Sequence, residues 1–162
     1  MKYLYSPFLM LLSITSYSQN VTFEEVLKLS KFNLTKVEEY LGNKGWNYAG
    51  TSVDYGKEFV VFNYGKSAFS DAAQSFILYK EGPPDGRNIL IFQLNNVQRY
   101  NSIVSRLGSL KFKYYDSKVE NGKIIKGYLR EGCILLVTVS TGKDHFDSTR
   151  TLYSFTLMTE NK

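Results

Sequence analysis

A chain of 162 residues is long enough to fold as one domain without a disulfide or a structural metal, since a protein of this size buries about 68–70% of its unfolded surface. Its 13 Tyr and 11 Phe against 3 Pro favour pleated strands and exclude a disordered chain. The formal charge of +5 is spread along the sequence, as on an ordinary soluble surface, and gives no dense basic track for nucleic acid.

The first residues, MKYLYSPFLMLLSITSYSQ, place a Lys near the start, an apolar run from Phe8 to Ile14, and small residues at Ser16 and Ser18. That layout predicts a signal peptide over residues 1–18, cleaved after Ser18. The run is shorter than the ~20 residues that span a bilayer. The mature chain is therefore expected in the periplasm or outside the cell, with no integral membrane segment. No Cys follows the run to take a lipid anchor, and the only one, Cys133, sits in the apolar stretch CILLVTV, where a buried inert thiol is expected.

Next, Thr22 and Glu25 form a capping box, with Val21 and Val26 placed as a hydrophobic staple, and a short helix follows with Phe23, Val26 and Leu27 facing inward. A second box, Thr35 with Glu38, starts a helix that turns Val37, Tyr40 and Leu41 inward and ends at Gly42 in a left-handed cap. Asn33-Leu34-Thr35 matches a glycosylation sequon and reads here as a helix start. From Trp46 the apolar period becomes alternating, which predicts strands near 46–54, 58–64, 75–80 and 88–94. Tyr55-Gly56 and the rigid Gly82-Pro83-Pro84-Asp85-Gly86 make turns, and GKSAFSDAAQ forms the longest loop of the first half. Asn95 then caps a helix carrying Val97, Tyr100, Val104 and Leu107, closed by Gly108. Strands near 111–119, 123–130, 133–140 and 150–158 follow, with Asn121-Gly122 as a two-residue hairpin signal.

The chain repeats itself. LGNKGWNYAGTSVDYGKEFVVFNY from Leu41 aligns without gaps on LGSLKFKYYDSKVENGKIIKGYLR from Leu107, an offset of 66. RNILIFQL from Arg87 likewise matches RTLYSFTL from Arg150, an offset of 63. An α+β fold is predicted from an internal duplication, each half a helix or helix pair followed by a four-stranded antiparallel meander. Residues 19–94 and 95–162 are the two halves of one compact domain.

Alternation assigns one face of each meander to the helices. In the first half it selects Trp46, Tyr48, Phe59, Val61, Phe76, Leu78, Leu90, Phe92 and Leu94. In the second it selects Phe112, Ile125, Leu129, Cys133, Leu135, Val137, Tyr153, Phe155 and Leu157. The opposite face would then carry Phe62, Tyr64, Lys113, Tyr115, Lys126, Tyr128 and Arg130, an aromatic surface with interspersed cations. Rigid rings with nearby charge suit the docking of a protein partner, an acidic one being the electrostatic complement. The same residues would equally serve as cross-strand pairs or as packing between the halves.

Catalytic patterns are weak. His145, the single histidine, lies between Asp144 and Asp147 in TGKDHFDST, most simply as a solvated turn residue. A zinc site needs more His or Cys ligands than the chain owns, and Asp-x-x-Asp lacks the spacing of a calcium loop. There is no G-x-S-x-G elbow and no phosphate-binding glycine loop. No catalytic residue, metal or cofactor is assigned.

The Leu-Gly and Gly-Lys repeats and the capped helices together resemble the secreted β-lactamase inhibitory proteins, built from two helix-plus-sheet repeats in sequence. The resemblance spans most of the mature chain and matches no inhibitory motif. It implies a sheet whose open face is presented to another protein. The leading expectation is an exported, non-enzymatic binding protein. A small periplasmic hydrolase or ligand-binding enzyme using the loops around Asp71 and His145, and a structural envelope component that self-associates, are the alternatives.

Overall fold

The computed structural model describes residues 21–54, 56–65, 75–84, 86–143 and 149–160. The signal segment and the loops with Asp71 and with His145 lie outside the described residues.

Two helices, α1 (Phe23–Leu29) and α2 (Leu34–Asn43), precede strands β1 (Asn47–Asp54), β2 (Lys57–Tyr64), β3 (Ser75–Lys80) and β4 (Arg87–Leu94). A third helix, α3 (Val97–Arg106), leads into β5 (Lys113–Glu120), β6 (Lys123–Arg130), β7 (Cys133–Lys143) and β8 (Thr149–Glu160). The strands form one antiparallel sheet in the order β1-β2-β3-β4-β8-β7-β6-β5, two runs of consecutive strands joined between β4 and β8. The architecture is α+β. Strands β4 and β8, aligned in the sequence at an offset of 63, pair with one another, and Phe92 lies directly opposite its counterpart Phe155.

Local chemistry explains where the helices begin. At α1 the Thr22 hydroxyl accepts from the Glu25 N–H at 3.2 Å, and the Glu25 carboxylate accepts from the Thr22 N–H at 2.7 Å. Val21 and Val26 are both fully buried, as a staple requires. For α2 the cap is Asn33, whose side chain accepts from the Lys36 N–H at 3.0 Å, so the helix starts two residues before the Thr35 box. Asn96, not Asn95, caps α3 by accepting from the Arg99 N–H at 2.8 Å.

Helix ends also depart from the expected glycine caps. Gly42 lies inside α2, and the left-handed residue is Gly45 at φ 75°. In the second half that slot belongs to Lys111, at φ 64°. The same bonds close both turns: Gly45 N–H to Gly42 O and Lys111 N–H to Gly108 O, each 2.9 Å, then Trp46 N–H to Leu41 O and Phe112 N–H to Leu107 O, each 3.0 Å.

The end of α1 is anchored in the sheet. Asn88, fully buried on β4, donates to the carbonyls of Ser30 and Phe32, both at 3.2 Å, and accepts from the Gly82 N–H at 3.0 Å. The Thr159 hydroxyl donates to Ser30 O, and the Tyr79 hydroxyl to Phe32 O. These bonds satisfy the carbonyl of Ser30, the C-cap of α1, and that of Phe32 in the linker to α2. Arg99 of α3 donates to Val21 O at 2.6 Å and to Ser75 Oγ at 3.0 Å, with its guanidinium 4.8 Å from the Phe92 ring centre. It ties the chain entering α1 to α3 and β3.

All three helices cover one face of the sheet. Residues directly opposite on paired strands share a face, so the register gives that face as rows. One runs Val60, Tyr79, Leu90, Leu157, Leu135, Tyr128, and the next Phe62, Ile77, Phe92, Phe155, Val137, Lys126. Val26, Leu29, Val37, Leu41, Ile103 and Leu107 from the helices join these rows in the main core.

The face assignment read from alternation is therefore inverted on β2, β3 and β6. Phe62, Tyr64, Ile77, Tyr79 and Tyr128 turn towards the helices, whereas Phe59, Val61, Phe76, Leu78, Ile125 and Leu129 turn away. Each of these strands has apolar side chains in both of its alternating sets, and a shift of one residue exchanges the faces.

Candidate functional site

The expected surface residues divide between the two faces. Phe62 is buried, and Tyr64 packs 5.6 Å from Trp46, ring centre to ring centre. Tyr128 meets Tyr114 edge-on at 5.7 Å and joins the main core. Lys126 lies opposite Val137 and Arg130 opposite Cys133, again on the helix side. These five residues do not form an open-face site. They are core members and its rim, because the helices cover only the middle of the sheet and leave its margins to polar side chains.

Lys113 and Tyr115 do lie on the helix-free face. Lys113 stands opposite Leu129, in the row Lys80, Ile89, Met158, Ile134, Leu129, Lys113. The neighbouring row runs Val61, Leu78, Ile91, Thr156, Leu136, Gly127. Tyr115 sits at a break in register between Tyr114 and Asp116, where β5 carries one residue more than β6. Its ring lies across Gly127, occupying the space that a Cβ there would need. The bulge and the missing side chain together place a flat aromatic ring on the sheet surface.

This face carries a second cluster that no helix residue joins. Phe59, Leu78 and Ile91 are buried in it, with Val61, Phe76 and Ile89 packed around them. Over β5 to β8 the apolar side chains are more open: Leu129 is 44% exposed and Tyr115 50%, with Ile125, Ile134, Leu136 and Met158 half-buried. Lys118, opposite Ile125, and Lys123, next along that face of β6, add charge at the margin beside Lys113. Lys118 also reaches Glu120 at 2.6 Å. Sequence reasoning missed Leu129 and Ile125 because it turned them inward. The signal available was Gly127, whose lack of a side chain beside an aromatic strand marks a close approach.

Cys133 is buried on the helix side, and burial pushes its thiol up against a smaller downward pull from Arg130, Lys31 and Arg87. A thiol so placed is a poor nucleophile. Among the described residues no group of three or more His, Cys, Asp or Glu side chains could hold a metal ion. No helix among them is long and apolar enough to cross a membrane. The loops around Asp71 and His145 lie outside the described residues.

Among the described residues, Glu25, between α1 and α2, is a carboxylate held by several bonds at once. It accepts from the Tyr40 hydroxyl at 2.6 Å and from Lys44 Nζ at 2.9 Å. Burial alone would raise its pKa, but the bonds from Tyr40, the Thr22 N–H and Lys44 outweigh it and bring the carboxyl down to about 2. The hydrogen bond to Glu25 in turn raises Tyr40 to about 12. Every group around this carboxylate is part of the helix-helix contact, which makes the cluster structural.

Compared with known proteins, the chain matches no family model, no curated protein and no solved structure.

Proposed function

We propose that this chain is an exported, non-enzymatic binding protein that docks an acidic protein partner on the helix-free face of its sheet, over β5 to β8. The observation that carries the reading is an apolar surface on a face no helix residue joins: Tyr115 seated over Gly127, with Leu129, Ile134, Leu136 and Met158 beside it. Contiguous apolar area of this kind marks interaction sites. An exposed tyrosine held by its own backbone loses little freedom when it is covered, as a binding anchor should. Lys113 and Lys123 at the margin, beside the Lys118–Glu120 pair, would speed encounter with an acidic partner and fix its orientation.

The internal duplication, with halves 19–94 and 95–162, belongs to the same proposal. Supporting it are the matched turn bonds and the two edge-on pairs Tyr48 with Phe62 and Tyr114 with Tyr128, both at an offset of 66. On this view the second half diverged to present the docking face.

The test is affinity capture from envelope and supernatant extracts with the mature protein and a Tyr115→Ala/Leu129→Ser variant, followed by titration of any captured protein in purified form. Both side chains are substantially exposed, so the variant is expected to keep its circular dichroism spectrum and melting temperature. The partner should bind it at least about tenfold more weakly, the loss of a hot-spot contact, and should bind wild type less well as salt rises. A purified partner that binds both proteins equally would overturn the reading.

A further inference from the structure

At one end of the sheet, where α1 and α3 finish, a cleft of about 820 Å3 opens between segments far apart in sequence. Lys31 reaches it from beyond α1, Lys111 from the turn before β5, and Arg130 from the end of β6. Glu131 and Glu160 line it too. Among the described residues, no ion pair involves Lys31, Lys111 or Arg130, so Glu131 and Glu160 line the cleft without pairing with these three cations.

Two further features point to a ligand. Arg130 is held in place, its guanidinium 5.3 Å from the Phe112 ring centre and its Nη1 donating to Leu110 O at 3.4 Å. That leaves most of its five donors for something else. Lys111 keeps a left-handed backbone at the position where the first half has Gly45, and the residue matching Arg130 there is Tyr64. A lysine held against its local backbone preference is a reason to look for a role in its side chain. The cationic pair is thus a property of the second half alone.

We propose that this cleft binds a phosphate group through Lys31, Lys111 and Arg130. Two ammonium groups and one planar guanidinium match a dianionic tetrahedral oxyanion, which takes a forked contact from arginine and point charges from lysine. The volume exceeds what phosphate alone would fill and lies in the range of small-molecule sites. Glu131 and Glu160 would accept hydroxyl donors from the body of a phosphate ester. The proposal stands apart from the docking surface: Tyr115 and Leu129 do not line this cleft.

The experiment is a titration of the intact mature protein at low ionic strength, followed by amide shifts of residues 109–111 and 130–132. Inorganic phosphate and glucose 6-phosphate are the two probes, with glucose and chloride at matched ionic strength as controls. Saturable shifts at these amides, stronger with the ester, identify an esterified ligand; stronger with inorganic phosphate, a free one. Lys111→Gly removes the cation together with the backbone cost, so its folding is not at risk. It should bind about tenfold more weakly, as should Arg130→Gln, the loss of a charge-assisted contact. Unchanged binding by a folded Lys111→Gly protein, or equal shifts with chloride, would overturn the proposal.

Discussion

Glu25 serves three partners with one carboxylate: the N-terminus of α1, the Tyr40 hydroxyl and Lys44. Its folded pKa, about 2, lies below the ordinary 4.5, so it contributes stability that is fully present above about pH 4.5 and is lost as pH falls towards 2. Tyr40 has the opposite sense: raised from 10 to about 12, it stabilises below pH 10 and ceases to do so as pH climbs through 12. Denaturant unfolding of wild type and Glu25→Gln should accordingly differ by a constant amount at neutral pH and converge in acid. Two glycine positions test the helix ends. Gly42 lies within α2 with open space around a would-be Cβ, so Gly42→Ala should raise the unfolding free energy by about 0.5–1 kcal/mol. Lys111→Gly should raise it by a similar ~1 kcal/mol by relieving the left-handed lysine, and thermal melts would register both. A left-handed Gly42, as its place after Leu41 suggests, would make the alanine variant less stable instead.

Among the elements, α1 is only seven residues long and holds its place by contacts with the sheet, since so short a helix is not stable alone. Asn88 is central to those contacts. Asn88→Ala would remove its bonds to the Gly82 N–H and to the Ser30 and Phe32 carbonyls, all at a buried site, so a loss of about 2–3 kcal/mol in equilibrium unfolding is expected. The edge strands β1 and β5 carry a register break at matching places, between Tyr48 and Thr51 and between Tyr114 and Asp116. Bulges and charges on β5, with Lys113, Asp116, Lys118 and Glu120, blunt an edge that would otherwise template another strand. The face of the sheet, rather than its edge, is then the surface left for partners. All eight strands were legible in the sequence to within a few residues, because alternation and turn chemistry are local. Lys113 and Tyr115 were placed on the right face. Phe62, Tyr64, Lys126, Tyr128 and Arg130 were not, because β2 and β6 have apolar residues in both alternating sets and nothing local chooses between them.

At the scale of the whole molecule, the two meanders are joined by the pairing of β4 with β8 from Arg87 with Glu160 to Leu94 with Tyr153. Phe92 and Phe155 meet at that seam, and Phe23 of α1 packs on Phe155 at 5.3 Å between ring centres. Because the seam is part of one continuous core, unfolding should be a single cooperative transition. Phe155→Ala should cost about 3–5 kcal/mol and lower the transition midpoint without splitting it. Two separated steps in calorimetry would mean that the halves are independent.

The order of elements, their approximate limits, the Thr22 box, the Asn121-Gly122 turn and the likeness of the stretches from Leu41 and Leu107 all follow from the sequence, since each is read from the chain without knowing its long-range contacts. Only the tertiary structure decided that β4 meets β8, which face of β2, β3 and β6 the helices cover, and that Lys31, Lys111 and Arg130 share one cleft. Each of these depends on strand register and on contacts between distant segments, where a step of one residue turns every side chain to the other side.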